Sequence, residues 1–174
     1  DSHLKEMQAI LDKKPRLIMM LGNTLGAFDP LKFASKLDNI MRPQDFLILD
    51  GELFNQTDTL AGYDNPINRQ FAFGPLSSVG LSEPNDGRLH INTDVDNRQP
   101  GLYRISKHFQ SSRDLKIMLA GETVQILSDT NIEMSWSYKY DRDALTGLIT
   151  SSGMQLAAEY LSTDKRFLTL LVKK

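Results

Sequence analysis

RLIMMLGNTLGAFDPLKFASKLDNIMRPQDFLILDGE, residues 16–52, is the stretch from which the fold follows. Arg16 to Leu21 is an apolar run of strand length, the pattern of a strand buried on both faces. Gly22-Asn23-Thr24-Leu25-Gly26 then makes a turn. Asp29 stands where an N-cap belongs and Pro30 occupies the first helical position. Leu31, Phe33, Leu37, Ile40 and Met41 supply an apolar stripe through the following turns. The helix must end before Pro43, and Phe46 to Leu49 is a second buried strand running into Asp50-Gly51-Glu52. Strand, turn, helix, turn and strand make a βαβ unit, so strands 16–21 and 46–50 are expected parallel and adjacent.

Upstream, Leu4, Met7, Ile10 and Leu11 recur at helical spacing and predict a short amphipathic helix over Leu4–Lys14, stopped by Pro15. Downstream the texture changes. Residues 56–81 predict partial helix, and 82–101, rich in turn formers, predict a long loop around a short extended piece. Residues 102–109, 115–119, 123–127 and 132–140 alternate apolar and polar, the signature of an antiparallel meander with one wet face. A helix is expected from about Asp141 to Ser152, and 155–161 with 167–172 read as a closing hairpin, its last strand antiparallel to its sheet neighbours. The fold class expected is α/β, with an α+β insertion: a core over 1–53, an insertion over 54–140 and a return to the core over 141–174.

The chain has 174 residues, no cysteine, and 20 Lys and Arg against 22 Asp and Glu for a formal net charge of −2. A chain of this size can bury ~70% of its unfolded surface in one domain, or one domain with a small subdomain. Lack of cysteine excludes a disulfide framework, a thiolate metal site and a cysteine nucleophile. The apolar run at Leu17–Leu21 is far below the ~20 residues that cross a bilayer, and the balanced charge lacks the footprint of a nucleic-acid binder. The expectation is a soluble, cytoplasmic protein with no membrane or nucleic-acid partner. The start at Asp1-Ser2-His3 suggests a processed or truncated chain.

In open parallel sheets ligands bind outside the carboxyl ends of the strands, which singles out the turns Gly22–Gly26 and Asp50–Glu52. Glycine permits close backbone approach to a ligand, and Asn23 and Thr24 add hydrogen-bonding groups; equally, the glycines serve only to turn the chain. None of the 11 glycines forms Gly-x-Gly, so a complete dinucleotide or phosphate loop is absent. His3, His90 and His108 lack metal-ligand spacing, and Asp94-Val95-Asp96-Asn97 starts like a calcium loop but has Gln99 where the sharp-turn glycine belongs, so no metal is expected. No GxSxG elbow supports a serine nucleophile. On 132–140, Ser135, Ser137 and Lys139 share one face, and Met134, Trp136, Tyr138 and Tyr140 the other. Two hydroxyls in line can bind a polar ligand, or simply face water. Tyr63 offers an amphipathic ring for covering a ligand or for packing.

LGNTLGAFDP (21–30), RPQDFLIL (42–49), GYDN (62–65), SWSYKY (135–140) and STDKRFLTLLV (162–172), in this order, resemble the histidine-specific methyltransferases. This is the S-adenosylmethionine-dependent family that includes an L-histidine Nα-methyltransferase. The resemblance runs from about Pro15 to the end and covers only the C-terminal half of a family member. It implies a partial Rossmann-like methyltransferase sheet carrying an inserted α+β substrate-binding lid. It places Gly22 and Asn23 against the cofactor, and Gly22, Thr24, Tyr63, Ser135 and Ser137 around the amino-acid substrate. The family asparagine that contacts the amino acid falls on Ala27, and the glutamate of a Glu-x-Ser pair falls on Ser135, which weakens the case for histidine itself. The family's glycine-rich cofactor loop and ribose-binding acid have no counterpart here. The resemblance therefore implies the lid-bearing part of an N-methyltransferase for an amino acid or small amine, needing an N-terminal half to hold S-adenosylmethionine and inactive alone. No residue is assigned as a catalytic base. The alternative is a non-catalytic binding or structural module derived from that fold.

Overall fold

The computed structural model describes residues 14–174; the helix expected over Leu4–Lys14 lies outside the described residues except for Lys14. The elements are β1 (Leu17–Met20), a 3-10 turn (Thr24–Ala27), α1 (Pro30–Ile40), β2 (Phe46–Glu52), α2 (Gln56–Tyr63), α3 (Pro66–Ser78), β3 (Gly87–Val95), β4 (Leu102–Ser111), β5 (Leu115–Leu119), β6 (Glu122–Ile126), β7 (Asn131–Tyr140), α4 (Arg142–Ser151), β8 (Gln155–Leu161) and β9 (Phe167–Lys173). They divide into two compact units. One holds the described residues up to Phe54 with Val95–Tyr103 and Tyr138–Lys174; the other holds Asn55–Asp94 and Arg104–Ser137.

The first unit is built on a four-stranded sheet of order β1-β2-β9-β8. β1 and β2 are parallel in the register Leu17↔Phe46 to Met20↔Leu49, as the βαβ pattern requires. β9 runs antiparallel to β2, with Leu49 opposite Leu170, and antiparallel to β8, as expected for the closing hairpin. Asp29 caps α1 by accepting the Lys32 N–H at 3.3 Å, and Pro30 follows at the first position. Ala34 and Leu37 of α1 and Leu145, Leu148 and Ile149 of α4 bury against Leu47, Leu49, Leu168, Leu170 and Val172 of the sheet. At the amino ends of β1 and β2, the buried Asp45 carboxylate binds the Arg16 backbone N–H at 3.0 Å, the Arg16 Nε at 2.9 Å and the Arg42 N–H at 2.8 Å. Burial pushes the Asp45 carboxyl up, but these hydrogen bonds and the Arg16 charge outweigh it and hold its pKa below the usual carboxylate value.

The expectation that β1 is buried on both faces is corrected. Ile18 and Met20 pack on the core, whereas Leu17 and Met19 are 57% and 56% exposed among the described residues. Among the described residues β1 lies at the edge of the sheet, and its side chains alternate between the packed face and the open one. β2 behaves likewise at Phe46, while Leu47 and Leu49 point inward.

The second unit has its own core, formed by Ala72, Leu76, Leu81, Leu89, Phe109, Leu115, Ile117 and Ile126. Two differences from the sequence expectation stand out. Residues 87–95 are a nine-residue strand and not a loop around a short piece. Its apolar positions Leu89 and Ile91 are spaced by polar partners and flanked by turn formers, which hid the alternation. The four-strand meander also does not form: β5 and β6 pair only with each other, in an antiparallel two-stranded sheet turned at Ala120-Gly121. β7, which follows that hairpin in sequence, pairs with β4, in the order β3-β4-β7.

Candidate functional site

Because β1 and β2 are parallel, their carboxyl ends lie together, and the Gly22–Gly26 turn leaves from that edge. Asp50, near the end of β2, accepts the Gly22 N–H at 2.9 Å through Oδ2 and the Asn23 N–H at 2.6 Å through Oδ1. Asn23 has φ 55° and ψ 32°, a left-handed conformation that Asn tolerates better than most residues. Its amide is a buried bridge: Nδ2 donates to the Tyr138 carbonyl at 3.1 Å, and Oδ1 accepts the Glu52 N–H at 3.0 Å. Gly26 makes the bridge possible, since a Cβ there would come within 2.4 Å of Asn23 Nδ2 and 2.6 Å of the Tyr138 carbonyl. Thr24 Oγ1 donates to the Leu21 carbonyl at 2.5 Å. At Gly22, with φ 76°, no atom lies within 4 Å of where a Cβ would stand. Gly26 thus serves close packing, whereas the space beside Gly22 is open.

Two charged clusters support this edge, and the sequence reading missed both. Glu52 Oε2 accepts from Lys139 Nζ at 2.5 Å and Oε1 from Arg166 Nη2 at 3.2 Å. Lys139 is 1% exposed, so its place on a wet strand face with Ser135 and Ser137 is corrected. On the opposite face Tyr138 and Tyr140 are buried, but Trp136 is 45% exposed. Strand alternation assigns faces and cannot show that a carboxylate from another strand arrives to pair a lysine. In the second cluster Arg98 donates to Asp96 through Nε at 2.9 Å and Nη2 at 2.6 Å, and to Asp29 through Nη1 at 2.8 Å. The hydrogen bonds from Arg98 lower the Asp96 pKa to about 2 against its burial. That carboxylate, part of the calcium-like motif, is committed to Arg98.

In the second unit, Tyr63 closes α2 and is held by the Gly62-Tyr63-Asp64-Asn65 turn. Gly62 accepts from the Asn65 and Asn68 side-chain amides, each at 2.6 Å, while Asn65 caps α3 by accepting the Asn68 N–H at 2.9 Å. Lys107 of β4 places Nζ 5.3 Å from the Tyr63 ring centre and donates to the Asn68 carbonyl at 3.1 Å. Ser135 and Ser137 are half-buried on β7, two residues apart and so on one side of the strand. Near them in sequence, Glu133 accepts from Arg104 at 2.7 Å, and the Arg104 guanidinium lies 5.3 Å from the Trp136 ring centre. Clefts of about 640 and 360 Å³ in this unit are lined by other residues, Asp86, Arg113 and Lys116 in the larger and Arg88, His90 and Ser111 in the smaller. The structure therefore brings Gly22, Asn23 and Thr24 together in one turn of the first unit. Tyr63, Ser135 and Ser137 belong to the second.

With this geometry in hand, the profile of the family described as histidine-specific, SAM-dependent methyltransferases matches residues 1–174. The chain belongs to this family. A sequence search of curated proteins returns no match. Among solved structures, the histidine-specific methyltransferase chain is similar to an S-adenosylmethionine-dependent methyltransferase from Clostridium acetobutylicum ATCC 824, at 9% identity and TM-score 0.43, covering 95% of this chain and 61% of that one. The CcbJ methyltransferase from Streptomyces caelestis follows at 8% identity and TM-score 0.40, covering 95% and 64%. The glycopeptide N-methyltransferase MtfA, complexed with S-adenosyl-L-homocysteine, has 11% identity and TM-score 0.43, covering 94% and 56%. The chain spans less than two thirds of the length of each of these proteins. No helix among the described residues is long and apolar enough to cross a membrane.

Proposed function

We propose that this chain supplies the substrate-binding, C-terminal part of an S-adenosylmethionine-dependent N-methyltransferase acting on an amino acid or a related small amine. The observation that carries the reading is the turn at the carboxyl ends of the parallel strands β1 and β2, with open space beside Gly22 and the Gly22 and Asn23 N–H groups held by Asp50. In this reading Gly22 and Asn23 border the cofactor. Gly22, Thr24, Tyr63, Ser135 and Ser137 contact the substrate, residues 54–140 act as the lid, and 1–53 with 141–174 act as core.

These residues fit one border of S-adenosylmethionine and not the whole of it. The open side of Gly22 suits close approach of a ligand. The Gly22 and Asn23 N–H groups, however, are taken by Asp50, and the sequence holds no Gly-x-Gly loop. The cofactor, when bound, would supply an electrophilic sulfonium methyl, and in this reading the glycine-rich loop that holds it is not among these 174 residues. The chain's own contribution is positioning of an unprotonated acceptor nitrogen, a proximity effect.

Two measurements test this. Calorimetry of the isolated chain against S-adenosylmethionine should give weak binding or none. Methyl transfer to a panel of amino acids and amines should appear once the N-terminal half is present. Tight stoichiometric binding by the isolated chain, or a complete protein that methylates no member of the panel, overturns the reading.

A further inference from the structure

Hydrogen bonds at its two ends fix the antiparallel pairing of β3 with β4. The Asp96 N–H donates to the Leu102 carbonyl at 2.8 Å and the Ser112 N–H to the Asp86 carbonyl at 3.0 Å, with equal lengths of chain between them on the two strands. His90 therefore stands directly opposite His108. Leu89 agrees: its N–H donates to Glu83 and its carbonyl accepts from Arg69, so it is the neighbouring residues, His90 among them, that bond across to β4. In such a hydrogen-bonded pair the Cα atoms stand ~5.5 Å apart and both side chains leave on one face. That face lies away from the core of the second unit, because Leu89 and Phe109, on the other face, are buried in it.

β7 brings a carboxylate to the pair. Glu133 Oε2 lies 3.8 Å from His108 Nε2 and accepts from Arg104 at 2.7 Å, while Oε1 has no partner among the described residues. Two ligands on a tetrahedral zinc ion stand ~3.4 Å apart, as bonds of ~2.0–2.1 Å require, so this nitrogen and oxygen are already near chelating distance. His90 is exposed, has no hydrogen bond or ion pair among the described residues, and opens onto the cleft of about 360 Å³. It is free to turn toward His108.

Three features oppose a cation here. Ser106 Oγ contacts His108 Nε2 at 3.0 Å, Arg104 shares Glu133, and Arg88 lies two positions from His90 on the same strand face. None of them removes a donor: an ion on Nε2 replaces one hydroxyl contact, and a carboxylate has a second oxygen for the metal while the first serves the arginine. Among the described residues no three His, Asp or Glu donors already meet at one point, so the ion itself must draw His90 inward.

We propose that His90, His108 and Glu133 form a site for a divalent cation of the zinc class on the outer face of the β3-β4-β7 sheet. Two imidazoles and one carboxylate are a donor set that suits zinc, whereas magnesium and calcium take oxygen ligands. Water completes the coordination, and the bound ion ties the three strands together. The site is independent of the methyl-transfer reading. Sequence spacing hides it, because the two histidines meet across strands and not along one.

Zinc chloride titrated calorimetrically into the 174-residue chain should bind at one ion per chain, and magnesium chloride should give no binding. His90→Gln and His108→Gln should each weaken zinc binding by ~10-fold or more, and Glu133→Gln should weaken it by less. His3→Gln, which removes the third histidine of the sequence, should leave the affinity unchanged. Arg88→Gln should tighten binding by removing a like charge. His90 is exposed, so His90→Gln keeps the fold and decides the question alone. Zinc should shift the imidazole resonances of His90 and His108 together to saturation, and should raise the melting temperature of wild type but not of His90→Gln. No saturable zinc binding, or binding that survives His90→Gln, overturns the site. Binding abolished by His3→Gln overturns it as well, as adventitious capture at the start of the chain.

Discussion

Replacing Asn23 by Ala removes the amide that bridges the Glu52 N–H and the Tyr138 carbonyl. Both groups are buried at these contacts, and each one left unsatisfied costs ~1–3 kcal/mol, for about 2–6 kcal/mol together. Alanine also tolerates φ 55° less well than asparagine, which adds ~1 kcal/mol. The expected loss is therefore about 5 kcal/mol, a large part of the ~5–15 kcal/mol that holds a domain folded. Asn23→Gly loses the same hydrogen bonds without the backbone penalty and should stand ~1 kcal/mol above Asn23→Ala. Gly26→Ala acts on the same amide from the other side, because its Cβ would displace Asn23 Nδ2. The Asn23→Ala, Gly26→Ala double variant should then be less destabilised than the sum of the two by more than ~1 kcal/mol. Urea unfolding followed by circular dichroism gives the free energies, and hydrogen exchange at the Glu52 amide gives the local loss of protection. An Asn23→Ala variant within ~1 kcal/mol of wild type, with Glu52 still protected, would refute the bridge as a structural element.

Two further outcomes follow from the same geometry. Asp96, with its pKa lowered from 3.8 to about 2, is more acidic folded than unfolded, so its contribution is present above pH ~4 and lost as pH falls toward 2. The half-exposed Arg98 is screened by solvent, which reduces the gain to ~1 kcal/mol; wild type should lose more stability than Asp96→Asn between pH 5 and 2, and parallel melting curves would count against the pair. The Tyr140 hydroxyl is buried without a hydrogen-bond partner among the described residues, so Tyr140→Phe should be neutral or raise stability by up to ~1–2 kcal/mol in thermal melts, and a clear loss would show that the hydroxyl is bonded after all.

The local pattern of residues 16–52 was enough for the parallel β1–β2 pair and the Asp29 cap on α1, and that of residues 155–172 for the closing β8–β9 hairpin, because each rests on neighbours in sequence: apolar runs, a capping side chain, and a short turn. The family was legible for the same reason, in motifs such as LGNTLGAFDP and SWSYKY whose order survives in the chain. What sequence alone could not decide was which elements meet. Strand β3 hid among turn formers, and the partner of β7 was β4 and not the adjacent hairpin, since pairing of distant strands depends on loop closure and shared burial that no local window contains. The same holds for side chains. Lys139 reads as solvated by alternation and is buried against Glu52 from 87 residues away; Asn23 reads as a ligand group and spends its amide on Tyr138, 115 residues away. Periodicity assigns a side chain to a face, but only the folded chain decides whether that face meets water, a counter-charge or another strand's backbone.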